Sequence, residues 1–151
     1  MRMKNIKLAK KSINLMLASA VFTASLTLFV ACKDENANFL QDQNFSIEKI
    51  IFKDKELSAV AESFLGFKKE DDKDIYAGFV GCNRFFGSFK FQNNLLKFSD
   101  DATSTKMLCE PEIMQFEDIL LTNLKEGFKI KPTKQGFELA SKDLSIFLLK
   151  R

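Results

Sequence analysis

The chain has 151 residues, 46% hydrophobic and 28% charged, the balance of one ordinary globular domain, which excludes a disordered or collagen-like polypeptide. Five of its 23 Lys+Arg (Arg2, Lys4, Lys7, Lys10 and Lys11) precede residue 12, so residues 32–151 hold 18 against 20 Asp+Glu and sit near −2. That removes the basic footprint of a nucleic-acid binder, and the absence of any His removes Ser-His-Asp and Cys-His catalysis and the His-containing zinc sites.

The first element in chain order is an export segment. No residue from Ser12 to Ala31 is charged, and Leu15 to Val30 is dominated by Leu, Ala, Val and Phe. A basic start, an apolar run and a small-residue exit form the pattern of a secretory signal. The exit, Leu28-Phe29-Val30-Ala31-Cys32, resembles a bacterial lipobox, with Phe29 where Leu is usual. The resemblance implies cleavage after Ala31 and a diacylglyceryl group on the Cys32 sulfur. Two or more acyl chains, at ~0.8 kcal/mol per buried methylene, anchor a protein stably where one chain does not. The alternative is an uncleaved signal anchor, since about 20 uncharged residues also span a bilayer. The expected organisation is a signal peptide over 1–31, a polar tether over 32–44 (Lys33 to Asn44 after the lipidated Cys32) and a folded domain over 45–151. The expected location is the cell envelope, on the periplasmic face of the outer membrane.

Short apolar runs recur at roughly 8 to 12 residue spacing, an antiparallel β signal. The pattern predicts strands over Phe45–Phe52, Ala59–Leu65, Ile75–Val80, Ser88–Phe91, Leu95–Phe98, Phe128–Lys131, Phe137–Ala140 and Leu144–Leu149. Asn93-Asn94 tolerates the positive φ that a tight hairpin wants. One segment has the helical period instead: Ile113, Phe116, Leu120 and Leu124 share a face, with Pro111 in the first turn and Gly127 just past the end. Glu110, Glu112 and Lys125 sit at the ends the helix dipole favours. Five strands, one helix and three strands predict an α+β fold, a bent antiparallel sheet or partly open barrel against a single amphipathic helix.

Fifteen of the 17 Phe follow Cys32, and there is no Trp. Such aromatics either line a pocket or fill the core of a small domain, and the core is the expectation here. The cluster Glu70-Asp71-Asp72-Lys73-Asp74 lacks the Gly and distal Glu of a calcium loop and reads as a solvated turn. No metal, cofactor or catalytic residue is expected.

The stretch from Gly78 to Phe89 packs Gly78, Gly81, Cys82, Asn83, Gly87 and Ser88 into a strand junction, where Gly and Asn imply positive φ or close backbone approach. With Thr105-Lys106-Met107-Leu108-Cys109 downstream, and Met114 and Glu117 at the following helix start, it resembles the two linked signatures of the META domain family, which includes the heat-inducible HslJ-type envelope lipoproteins. This chain departs from the family in lacking a Trp in its first strand and in having Phe89 where Tyr is commoner. The resemblance implies a bent, partly open antiparallel barrel against one helix. It also implies an envelope or secreted setting connected with stress tolerance, motility and virulence, without catalytic activity. A looser likeness of architecture, to type III secretion pilot lipoproteins, is analogy of fold alone.

From the residues alone, Asn83 is expected to bond its own loop backbone, Gly81 and Gly87 to permit a tight path, and Thr105 to brace the connection. With Cys32 acylated, Cys82 and Cys109 remain, one in each motif, and in an oxidising compartment they are expected to join, two buried free thiols being the alternative. The expected function is a membrane-tethered, non-catalytic module for envelope homeostasis whose partner is an unidentified envelope protein. The alternative is a carrier or pilot-like chaperone for a hydrophobic ligand or secretion component. A large apolar cavity between helix and sheet favours the carrier, a filled core the module.

Overall fold

The computed structural model of the protein describes residues 40–151 except Asp101. The expected signal peptide, the lipidated Cys32 and the tether as far as residue 39 lie outside the described residues. The folded part takes in more than the sequence pattern indicated. Leu40 is fully buried, and Gln43 and Asn44, expected in the tether, already belong to the first strand.

Among the described residues ten antiparallel strands form one sheet: β1 (Gln43–Phe52), β2 (Lys55–Ser58), β3 (Phe64–Glu70), β4 (Lys73–Phe79), β5 (Arg84–Gln92), β6 (Leu95–Phe98), β7 (Thr103–Ser104), β8 (Lys129–Pro132), β9 (Gly136–Ala140) and β10 (Leu144–Lys150). Their order is β6-β5-β4-β3-β1-β10-β9-β8, with β2 on β1 and β7 on β5. The two ends of this order meet at a single pair: Leu96 N–H donates to Phe128 O and Phe128 N–H to Leu96 O, both at 2.8 Å. The sheet is therefore a nearly closed barrel, and its edges are largely removed by closure. One helix, α1 (Pro111–Asn123), packs against it and runs into a 3-10 turn, Leu124–Glu126, ended by Gly127 at φ 79°. Among the described residues no helix is long and apolar enough to cross a membrane.

Local chemistry explains the turns. Lys53-Asp54, Asp71-Asp72 and Asn93-Asn94 each place two consecutive residues at positive φ. That is the backbone of a two-residue hairpin whose twist matches its strands. The acidic cluster is thus the tip of the β3–β4 hairpin. In β1 a bulge between Ile47 and Lys49 bends the strand, so Gln43–Ser46 pair with β3 and Lys49–Phe52 with β2.

Two strands escaped the sequence pattern, and one was displaced. Lys55–Ser58 and Thr103–Ser104 are short and mostly polar, Leu57 being the one apolar residue among them, too little to show a period. The strand expected over Ala59–Leu65 lies instead at Phe64–Glu70, because Glu62 turns the chain at φ 68° and the second half of the strand, Lys68–Glu70, is an exposed hairpin arm without apolar alternation.

The core is aromatic. Phe45 meets Phe137 edge to face with ring centroids at 4.5 Å, Phe67 meets Phe89 at 5.2 Å, and Phe98 meets Tyr76 at 4.7 Å and Phe128 at 5.8 Å, again edge to face. Edge-to-face pairs align the positive ring edge with the negative ring face, adding about 0.5–1.5 kcal/mol to each pair beyond area burial. The sheet curls around these rings, and the helix adds Phe116 and Leu120, and the 3-10 turn Leu124, to the same cluster.

Candidate functional site

The two sequence motifs meet at one side chain. Asn83 lies in the short loop between β4 and β5 and is 5% exposed, Thr105 and Met107 lie in the segment leading to the helix, and Glu117 lies on the helix at 8% exposure. The Asn83 backbone N–H donates to Glu117 Oε2 at 2.8 Å, and Asn83 Nδ2 donates to Glu117 Oε1 at 2.6 Å. Asn83 Oδ1 accepts from Thr105 Oγ1 at 2.8 Å and from Met107 N–H at 2.7 Å. Thr105 Oγ1 in turn accepts from Arg84 N–H at 3.1 Å. An amide side chain carries its donor and its two-fold acceptor on separate atoms, so Asn83 can face Glu117 with one and Thr105 and Met107 with the other. Asn83 therefore ties the β4–β5 loop to two distant segments, where the sequence alone suggested a bond within its own loop. Glu117, read from the sequence only as part of a motif, is the acceptor that makes the loop and helix one unit.

The disulfide Cys82–Cys109 stands beside this clasp, with Cα atoms 5.9 Å apart across a separation of 27 residues. Gly81 precedes it at φ 99°, a conformation L side chains rarely adopt, with Val60 and Ile113 packed where a Cβ would project. Gly87 has no such φ. Its role is close approach, since an added Cβ would lie 2.9 Å from the Tyr76 ring. Gly78 is similarly covered by the ring of Phe85, and Ser88 N–H donates to Ser99 Oγ at 3.1 Å, holding β5 to the segment after β6. Met107 contributes its backbone, its side chain being exposed, as are those of Leu108 and Met114.

Comparison with known proteins agrees with this geometry. The family model described as the META domain matches residues 38–150. The chain belongs to the META domain family. Among solved structures it is similar to an NMR structure of a protein from Burkholderia xenovorans, with a TM-score of 0.63 and 18% identity, covering 76% of this chain and 86% of that one. A second NMR structure has a TM-score of 0.58 at 23% identity, covering 75% of this chain and 92% of the other. At these identities the likeness is one of fold. No curated protein matches the chain.

The barrel mouth at the opposite end of β5 is the other candidate. Eight steps of about 3.3 Å from Arg84 put Gln92 some 26 Å from the end beside Asn83. There a cleft of about 840 Å³ opens between the β5–β6 and β8–β9 hairpins, lined by Phe91, Leu95, Ile130 and Phe137 and rimmed by Lys129, Lys134 and Lys150. A smaller groove of about 540 Å³ between the end of the helix and Ser99–Ser104 has a mixed polar and apolar lining. Sequence reasoning missed the mouth entirely. Its apolar residues are scattered over β5, β6, β8 and β9 and share no period. Among the described residues no cluster of three metal-ligating side chains forms.

Proposed function

We propose that this META domain is a non-catalytic binding module of the heat-inducible HslJ type, held at the bacterial envelope by lipid on Cys32, on the periplasmic face of the outer membrane, and serving envelope homeostasis and stress tolerance. The observation that carries this reading is that the motif side chains with chemical capacity are occupied with one another. Asn83, Thr105 and Glu117 are mutually hydrogen-bonded, and Cys82 and Cys109 are bonded covalently. A site built to act on a substrate keeps a nucleophile or acid free to approach it. The structural disulfide suits an oxidising compartment, in keeping with export. The near-neutral domain gives no reason to invoke nucleic acid.

Fatty-acid labelling tests the tether. Wild-type protein should take up labelled palmitate and lose residues 1–31, and Cys32→Ser should do neither. Equal labelling of the two sinks the lipoprotein reading.

A second reading, a carrier for a hydrophobic ligand, is favoured by one observation, the apolar barrel mouth of about 840 Å³. Its volume falls in the ~300–1,000 Å³ range of small-molecule sites. The helix is not part of its wall.

A further inference from the structure

We propose that the barrel mouth binds a single-chain fatty acid, its hydrocarbon tail against Phe91, Leu95, Ile130 and Phe137 and its carboxylate among Lys129, Lys134 and Lys150. This rests on the carrier reading and names the ligand chemistry and the site.

Three observations converge on that chemistry. First, the floor is continuous with the core: Phe137 is 4% exposed and stacks edge-on against Phe45, while Phe91 and Ile130 extend the inner faces of β5 and β8 to the rim. An apolar chain laid there leaves water on one side and meets side chains on the other, which is the condition for affinity to grow with chain length.

Second, the rim carries one sign of charge. Lys129, Lys134 and Lys150 are all exposed, and no Asp or Glu is among the residues lining the cleft. The nearby carboxylate of Glu138 is engaged elsewhere, accepting from Ser145 Oγ at 2.7 Å and from Lys131 Nζ at 3.3 Å. A ligand with an apolar body and an anionic end is the complement of such a rim.

Third, the backbone disfavours an added peptide strand. The reciprocal Leu96–Phe128 pair sets the parity of β8, turning the backbone groups of Phe128, Ile130 and Pro132 to the seam and those of Lys129 and Lys131 to β9. Past Phe128 only Ile130 can offer the seam both a donor and an acceptor, since Pro132 has no N–H. On the facing side β6 begins at Leu95, and Asn93-Asn94 before it turns away at positive φ. Strand addition needs a longer ladder than this.

A diazirine-bearing dodecanoic acid, added to membranes holding the full chain and mapped by mass spectrometry after illumination, tests the inference. Label should concentrate on peptides spanning 91–95 and 129–137. Unlabelled dodecanoic acid should compete at least tenfold better than its methyl ester, and competition should strengthen by up to about fourfold per methylene as the saturated chain lengthens. Lys134→Glu with Lys150→Glu should reduce labelling at least tenfold without lowering the unfolding temperature, both side chains being exposed. Equal competition by acid and ester overturns the anion selectivity and leaves the carrier reading standing. Label absent from the mouth, or displaced by an acidic peptide as readily as by the acid, overturns both.

Discussion

Asn83 and Glu117 are 34 residues apart, yet the carboxylate of one accepts two hydrogen bonds from the other, at 2.8 Å from the backbone N–H and 2.6 Å from the side-chain amide. Both residues are buried. A buried carboxylate held by charge-assisted bonds fixes the helix on the β4–β5 loop more tightly than apolar contact alone, because sliding either element orphans a buried polar group. In this chain the two motifs thus form an internal clasp between loop and helix.

The clasp gives an ordered mutant series. Asn83→Ala removes the donor to Glu117 and the acceptor for Thr105 and Met107; Thr105 and Met107 are exposed and can turn to water, so the cost should be about 1–3 kcal/mol, that of leaving the buried Glu117 Oε1 without its partner. Asn83→Asp is nearly isosteric but sets one carboxylate against another, and should be worse than Ala. Urea unfolding midpoints at neutral pH measure both, and an Asp variant as stable as wild type contradicts the assignment. A double-mutant cycle with Glu117→Gln should show coupling above about 1 kcal/mol.

The disulfide closes a 27-residue separation. The chain-entropy relation gives about 3.5 kcal/mol for a loop of that length. A Cys82→Ala, Cys109→Ala double variant should therefore unfold at markedly lower denaturant, and reduction of the wild type should lower its midpoint by a similar amount. Mass spectrometry of unreduced protein in which both thiols alkylate freely refutes the bridge.

Gly87 is a packing glycine. With an added Cβ 2.9 Å from the Tyr76 ring, which is itself wedged against Phe98 and Phe85, Gly87→Ala has nowhere to push without strain. Overpacking of this kind costs about 1–3 kcal/mol. Thermal unfolding of Gly87→Ala should show the loss, whereas Ala in place of the exposed Lys90 on the same strand should change stability by less than about 0.5 kcal/mol.

Amide hydrogen exchange probes the seam. The Leu96 and Phe128 amides, bonded reciprocally, should exchange slowly and close to the rate set by global unfolding. The Ile130 amide, turned toward the mouth, should exchange orders of magnitude faster. Equal protection at all three positions means that the ladder continues past Phe128 and that the mouth is closed.

Much of the fold was legible in the sequence because its strongest signals are local. The period of Ile113, Phe116, Leu120 and Leu124 between Pro111 and Gly127 marked the helix, and Asn93-Asn94 marked a two-residue turn, since each depends only on residues within a turn or two of one another. The motif residues were likewise identifiable as a set, and with them the family and the partly open barrel.

What tertiary structure alone decided is whatever joins residues distant in sequence. Nothing local distinguishes an Asn that bonds its own loop from one that grips a helix 34 positions later, so the partner of Asn83 emerged only from the packing. The short strands Lys55–Ser58 and Thr103–Ser104 exist because β1 and β5 offer edges to pair with, not because their own residues favour extension. The barrel mouth belongs to the same class. Phe91, Leu95, Ile130 and Phe137 are ordinary strand residues in one dimension. Closure at the single Leu96–Phe128 pair, and the divergence of the chains beyond it, brings them and the three lysines around one cleft.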